Sequence, residues 1–462
     1  MRIHLIAACG VGMSALAALL REAGHDVSGS DEQAYPPAST LLESLGIDLQ
    51  TGWDPARFAD ADLVVCGNAV RRTNPEAVAA DASGVRMVSF PQVIEELFLS
   101  GRRPLVVSGT HGKTTASSML AWVLHHTGRD PGYLIGGAPH DLPSSATVGG
   151  GPDFVIEGDE YDSAYFDKEP KFLHYHPAVL LLNAIEFDHA DIYADLAAVK
   201  AAFAKLLATL DASVPVIACA DFPETERVVG AHPTLHWFGL ANEARWRIAD
   251  LRDDGRTRFD VRENGRVVTR VALQVPGMIN ARNALGVLLV AREVGLGWDE
   301  AAEALAAFRG VKRRQEVVSD GGGITVVDDF AHHPTAVAET LRALRLRYPG
   351  RRLRAVLEPR SNTSRRRVFQ EAYREALGLA DDAVVAAVFT KQSDPIPPED
   401  RLDVARLVDE VAADGTSCRT IEGVEAIRDH VVATAREGDV IVIMSNGAFG
   451  GLPGLMAASL AP

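Results

Sequence analysis

Leu105-Val106-Val107 is a short apolar run that ends in Ser108-Gly109-Thr110-His111-Gly112-Lys113-Thr114-Thr115, and Ala116 to Leu124 then reads as a helix. No other stretch constrains the fold as strongly. A buried strand that feeds a glycine-rich turn and then a helix belongs in a parallel α/β sheet. In such a turn backbone N–H groups point at phosphate, and the helix N-terminus adds partial positive charge. Gly109 to Thr115 would form the cradle, with Lys113 reaching the terminal phosphates of ATP and the Thr114 hydroxyl ligating Mg²⁺. The loop is shorter than the usual phosphate-binding loop, which would place a glycine at Val107; here the glycine is Gly109. An accidental glycine-rich βα turn is the competing reading.

A second glycine turn opens the chain. Ile3 to Ala8 is strand-like, Cys9-Gly10-Val11-Gly12-Met13-Ser14-Ala15 has the GxGxxA spacing, and Val27 to Asp31 is a second strand ending in an acid. This is the dinucleotide βαβ pattern, with Asp31 at the distance of a ribose ligand. It shows a held phosphate diester, not which nucleotide. Leu63 to Cys66 is a further strand, with Asn68 just past its carboxyl end, where open sheets bind ligands. The first domain is expected at 1–103. A central domain, 104–312, contains the phosphate loop. Beyond the basic segment Gly310 to Glu316 the βα alternation restarts, so a third domain is expected at 313–462. Ile324 to Asp329, Leu353 to Leu357, Ala383 to Phe389 and Val440 to Met444 read as its strands. Residues 212–275 show short strands whose order the pattern does not give.

With 462 residues the chain exceeds one ordinary core. Its net charge of −16 argues against nucleic acid or an anionic membrane as partner. An anionic substrate would need local basic groups and metal. The four cysteines form no CxxC pair, which disfavours a zinc site or disulfides and suits a reducing cytoplasm. No apolar run approaches the roughly 18 residues of a spanning helix, and no signal peptide is evident.

Glu157 ends the apolar run Phe154-Val155-Ile156, and Asp159, Glu160 and Asp162 follow closely. Glu157 can complete a Mg²⁺ shell with Thr114; the alternative is an ordinary loop acid. His189, between Asp188 and Asp191, can serve a second ion; the alternative is a structural histidine. Two ions would quench the repulsion between a γ-phosphate and an attacking carboxylate, which suits acyl-phosphate chemistry. Asn280 and Asn283 share a helix face and could meet adenine, or simply form a polar face. Arg313 and Arg314 are phosphate clamps or solvated hinge charges. Asp329 could hold a ribose, and His332 and His333 are either site residues or a helix entry before Pro334. Arg360 is a fork donor suited to a substrate carboxylate, or one surface charge in a chain with many arginines. A nicotinamide dehydrogenase would use Gly10 and Gly12 but not Lys113, and a motor ATPase leaves the first domain unexplained.

Taken together, Gly109 to Thr115, Glu157-Gly158-Asp159-Glu160, Asn183 through Asp191, Asn280 with Asn283, and Asp328 through Pro334 resemble the Mur ligases, ATP-dependent amide ligases of bacterial cell-wall synthesis. The motifs fall in family order across the whole chain. The resemblance implies a Rossmann-like N-terminal domain, a central ATPase-like parallel sheet and a Rossmann-like C-terminal domain. It also implies ATP as co-substrate with two Mg²⁺ ions, and UDP-N-acetylmuramate held by Gly10, Gly12, Ser14, Asp31 and Asn68. Lys113, Glu157 and His189 become the catalytic set; Thr114, Glu157 and His189 serve the metals; Asn280, Asn283, Arg314 and Asp329 meet ATP. Tyr161 and the Glu358-Pro359-Arg360-Ser361-Asn362-Thr363 stretch resemble the branch that transfers the murein tripeptide L-alanyl-γ-D-glutamyl-meso-diaminopimelate. Arg360, Ser361, Asn362 and Asn446 are then expected at the peptide. The alternative is the branch that adds L-alanine, which carries serine where Tyr161 stands. Ile279 departs from the family's usual histidine, and neither Lys200 nor Lys205 falls at the spacing of the carbamylated lysine found in some relatives.

Overall fold

The computed structural model describes residues 1–241, 244–388 and 396–461, and three separate sheets organise them. The first sheet is parallel, in the order Asp48–Thr51, Asp26–Asp31, Arg2–Ile6, Leu63–Cys66, Met87–Ser89. Chain order reverses between Arg2–Ile6 and Leu63–Cys66, and the Cys9–Ala15 glycine turn and the Gly67-Asn68 segment sit at their carboxyl ends. That crevice is where an open α/β sheet binds a ligand.

The second sheet has ten strands, and the phosphate-loop strand Arg103–Ser108 lies at its centre, between Val179–Leu182 and Asp153–Gly158. It begins at Arg103, one residue before the expected boundary, because Arg103 pairs in register with Asp153 and holds its carboxylate at 2.5 Å. The helix after the loop runs Lys113–His126. The unordered stretch resolves into parallel strands Val216–Cys219 and Leu235–Gly239, then Trp246–Asp253, Thr257–Glu263 and Arg266–Leu273 in antiparallel hairpins that extend the same sheet. Helix Met278–Glu293 packs across this sheet and against the phosphate-loop helix, and its apolar residues are almost all buried.

The third sheet runs Glu316–Gly321, Ile324–Asp329, Val440–Met444, Leu353–Leu357, Asp382–Ala386, Ser417–Ile421, with only the first strand antiparallel. The strand expected to reach Phe389 ends at Ala386, and Phe389 lies outside the described residues.

The junctions between the modules differ in kind. One apolar core runs unbroken from Ile3, Leu16 and Val65 through Phe90, Phe98 and Leu99 to Phe154, Phe172 and Phe203, joining the first sheet to one face of the second. The third sheet has its own core and meets the second through ion pairs, hydrogen bonds, the Phe187–Phe369 ring stack and the segment 309–316.

Candidate active site

The backbone of the phosphate loop is fixed before any side chain is considered. Gly109, at φ 122°, sits against the Ala184 backbone, and the Thr110 N–H donates to the Ala184 carbonyl at 2.6 Å. A β-carbon on Gly112, at φ 82°, would lie 2.5 Å from Asn283 Oδ1 and 2.8 Å from Asn183 Nδ2. Glycine is required at both positions, since each needs a left-handed backbone and close approach. Asn183 donates to Asn283 Oδ1 at 3.2 Å, and Asn280 donates to the Pro276 carbonyl at 2.8 Å. The two helix asparagines thus line the cavity with their amides engaged inside the protein.

Lys113 points back across the loop. Its ammonium donates to the Gly109 carbonyl at 2.8 Å and to Glu160 Oε2 at 2.7 Å. The other Glu160 oxygen lies 2.9 Å from His189 Nε2, without hydrogen-bond alignment. Glu160 is 1% exposed. Burial alone would raise its pKa, but Lys113 and His189 outweigh that and hold the carboxyl below its usual range. Burial works against the Lys113 and His189 charges too, yet Glu160 raises both pKa values. The three groups form one charged chain, lysine–glutamate–histidine. His189 is aimed by a left-handed backbone (φ 54°) and packs on Tyr161, ring centroids 4.2 Å apart.

Glu157 stands beside this chain. Strand register places it opposite Val107 at the mouth of the loop. It accepts from Thr114 Oγ1 at 3.2 Å and from the Gly136 N–H at 2.6 Å. Burial pushes its pKa up, opposed by Gly136, Lys113 and Arg314. A buried carboxylate in this condition favours a nearby cation. Hydroxyl and carboxylate oxygens suit Mg²⁺, and the buried Glu160 Oε1 and His189 Nε2 keep unfilled bonding capacity. The donor set therefore fits a divalent ion.

The third module closes over this floor. Arg314 Nη2 lies 3.3 Å from Thr114 Oγ1, and its guanidinium packs 4.5 Å over the Phe330 ring. Asp329 accepts from the Gln315 and Ala331 N–H groups at 2.7 and 2.6 Å, so its carboxylate shapes the hinge loop. Arg313 donates to the Ser445 carbonyl at 2.8 Å and also reaches the Gly447 carbonyl, cross-linking the loops of the third sheet.

A cavity of about 820 Å³ is lined from all three modules: Gly12 and Phe90, then Lys113, Glu157 and His189, then Asn362 and Asn446. Ser361, Asn280, Asn283, Arg314 and Asp329 line it as well. Asn446 Oδ1 is buried there without a hydrogen-bond partner among the described residues. Other expected residues sit differently. Arg360 is exposed outside the cavity wall and packs on Gly447. Ser14 is buried and donates to the Val11 carbonyl, and one Asp31 oxygen accepts from the Cys9 N–H at 2.7 Å, bracing the glycine turn. Asn68 follows the Leu63–Cys66 strand, half-buried, apart from the cavity. Lys200 and Lys205 pair with Glu224 and Glu169.

Sequence reading gave no separate role to Glu160, hidden in an acidic run, or to Asn183. It also missed the latch around His333. The His333 Nδ1 caps helix Pro334–Arg347 by accepting from the Thr335 N–H, and Nε2 meets the Phe187 carbonyl at 3.1 Å. His111, Glu186 and His333 lie close enough to hold a metal, but both nitrogens of His333 are engaged.

Residues 2–102 match the family description "Mur ligase family, catalytic domain", residues 107–291 "Mur ligase middle domain", and residues 313–447 "Mur ligase, glutamate ligase domain". The chain belongs to the Mur ligase family and is an ATP-dependent ligase. It is 40% identical to the UDP-N-acetylmuramate–L-alanyl-γ-D-glutamyl-meso-2,6-diaminoheptandioate ligase of Escherichia coli, over 98% of this chain and 96% of that one. A UDP-N-acetylmuramate–L-alanine ligase of Burkholderia ambifaria is 34% identical over 98% of this chain and 96% of its own length. The crystal structure of a murein peptide ligase from Psychrobacter arcticus superposes with a TM-score of 0.71 at 34% identity, covering 100% of this chain and 98% of that one. No helix of the described residues is long and apolar enough to cross a membrane.

Proposed function

We propose that the chain joins UDP-N-acetylmuramate to the murein tripeptide L-alanyl-γ-D-glutamyl-meso-diaminopimelate at the cost of ATP, in peptidoglycan recycling in the cytoplasm. The observation that carries this reading is the single cavity walled by residues of three modules, one for each substrate. A nucleotide sugar enters over the first glycine turn past Phe90, ATP lies along Gly109 to Thr115, and the peptide amine approaches from Asn362 and Asn446. Domains 1–103, 104–312 and 313–462 are the proposed units.

The lactyl carboxylate attacks the γ-phosphorus of ATP, forming a C–O–P bond as ADP leaves. The peptide amine then attacks the acyl carbon, and the tetrahedral adduct releases phosphate as the amide forms. Lys113 exchanges Glu160 for phosphate oxygens and offsets their charge through this transfer. Arg314 adds a second cation from above. Until that exchange Glu160, itself beside His189, keeps the ammonium oriented, and the docked third module excludes water from the acyl phosphate. Thr114, Glu157 and His189, the last as a neutral imidazole after giving up its proton, would hold Mg²⁺, which supplies charge neutralisation between carboxylate and triphosphate.

The test is ADP release from ATP and UDP-N-acetylmuramate with either the tripeptide or L-alanine as acceptor. Turnover with the tripeptide alone is expected. Turnover with L-alanine alone would replace this reading by the L-alanine ligase.

A further inference from the structure

The third sheet carries a second cavity, at the edge opposite the reaction. Strands Leu353–Leu357, Asp382–Ala386, Ser417–Ile421 and Val440–Met444 run parallel, and their carboxyl ends face the ATP site. At their amino ends, about 15 Å away along five residues of strand, lies a hollow of about 460 Å³. Its wall includes Arg352, Arg419, Arg436, His430, Ser417 and Asp382.

The carboxylates at this edge are already engaged. Asp382 Oδ2 lies 3.0 Å from the wholly buried Arg354 and 3.7 Å from Arg352. Asp439 Oδ2, behind the wall, lies 3.4 Å from Arg354 and 3.5 Å from Arg352. Arg354 is held in place by the Val431 carbonyl and Thr434 Oγ1. Among the described residues the Arg419 guanidinium has only the Ser417 hydroxyl, at 3.2 Å. The Arg436 guanidinium has no hydrogen bond or ion pair among the described residues, although its backbone N–H donates to Asp439. Four guanidiniums thus meet two carboxylates, a local excess of positive charge in a chain of net −16. The positive field is felt by His430, whose pKa is lowered by burial and then by Arg419.

We propose that this hollow is a second anion site and takes the phosphoryl group of a small phosphorylated molecule. Guanidinium forks arriving from separate segments of the chain, Arg352 just before a strand, Arg419 on a strand and Arg436 in a loop, suit a tetrahedral oxyanion with several acceptor oxygens. The volume lies in the range of small-ligand pockets and exceeds what a lone phosphate fills, which leaves space for an attached organic group. The Ser417 hydroxyl, which accepts from Arg419, supplies a further donor.

The experiment titrates the full chain calorimetrically with inorganic phosphate, pyrophosphate and ribose 5-phosphate, each a separate arm. It compares wild type with an Arg419→Ala/Arg436→Ala double variant. Both side chains are exposed and remote from the phosphate loop, so ligation without added probe should be unchanged. At least one probe is expected to bind the double variant ten-fold or more weaker than wild type, and the arm with the tightest binding separates free phosphate from a phosphate ester. Isotherms that agree within two-fold for all three probes would overturn the proposal. If the double variant melts early, Arg436→Ala alone carries the same comparison, because that guanidinium holds nothing in the fold.

Discussion

Glu160 joins two cations that would otherwise repel, and it does so at 1% exposure. Replacing it with Gln keeps the shape and removes the charge that supports both neighbours. Glu160→Gln should therefore destabilise the fold by about 3 kcal/mol, the scale of breaking a buried ion pair, and lower the His189 pKa. Denaturant melts and histidine NMR titration measure the two effects; an unchanged His189 titration would refute the coupling. Lys113→Ala should reduce kcat/KM by about 10³-fold, as loss of a preorganised charge does, while leaving nucleotide-sugar binding at the first module intact. Retained ligation would remove Lys113 from the mechanism. Glu160 was hard to read from sequence because Glu157, Asp159 and Asp162 are chemically equivalent candidates around it. Only the fold reveals that Glu160 faces Lys113 while Asp159 turns to Lys171 at 3.1 Å.

Among elements, the phosphate loop was the most legible, since a strand, a glycine turn and a helix start are encoded within one contiguous stretch. The same holds for Gly10 to Asp31 and for the acids at strand ends, which follow from sheets that bind at their carboxyl edges. The antiparallel block from Trp246 to Leu273 was not legible. Its strands are amphipathic extensions of a sheet begun far upstream, and their pairing depends on Leu235–Gly239 being in place. Asn280 and Asn283 share a helix face as expected, yet that face also meets Asn183 across 100 residues of chain, a contact beyond local pattern. The element-scale consequence is testable at Gly112. A methyl group there would strain a left-handed backbone by about 1–2 kcal/mol and collide with the asparagine pair. Gly112→Ala should weaken ATP binding at least ten-fold by calorimetry with only a modest loss of melting temperature; unchanged affinity would mean the loop tolerates relaxation.

At the scale of the whole molecule, the third module is held by His333 on the Phe187 carbonyl, by Thr363 accepting from the Ala190 N–H at 3.0 Å, by Arg366 on the Ala190 carbonyl at 3.0 Å, and by Phe187 stacked on Phe369. Burial, then His111, pushes the His333 pKa down to about 3 from 6.5. A depressed histidine contributes stability that is complete above its unfolded pKa and is lost as pH falls toward the folded value. The docked state should therefore weaken between about pH 6.5 and pH 3, by about 2 kcal/mol at pH 5. His332 is lowered in the same sense, while the neighbouring histidines help to hold the Glu186 and Asp188 carboxyls below their usual range. Small-angle scattering should show the molecule expanding between pH 7.5 and 5, and His333→Gln should flatten that response; a wild-type radius constant over the range would dismiss the latch. The hinge can absorb such motion, for Arg313 and Gln315 already adopt positive φ beside Gly310. The unbroken apolar core from Phe98 to Phe154 has the opposite character. Grafting the first module from one ligase onto another would cut through packed aromatic rings and require recutting both halves. A graft at Lys312 severs hydrogen bonds, a few ring contacts and ion pairs such as Arg282–Glu339 and Arg347–Asp253, so the acceptor preference of this scaffold should be exchangeable as a cassette once those pairs are matched.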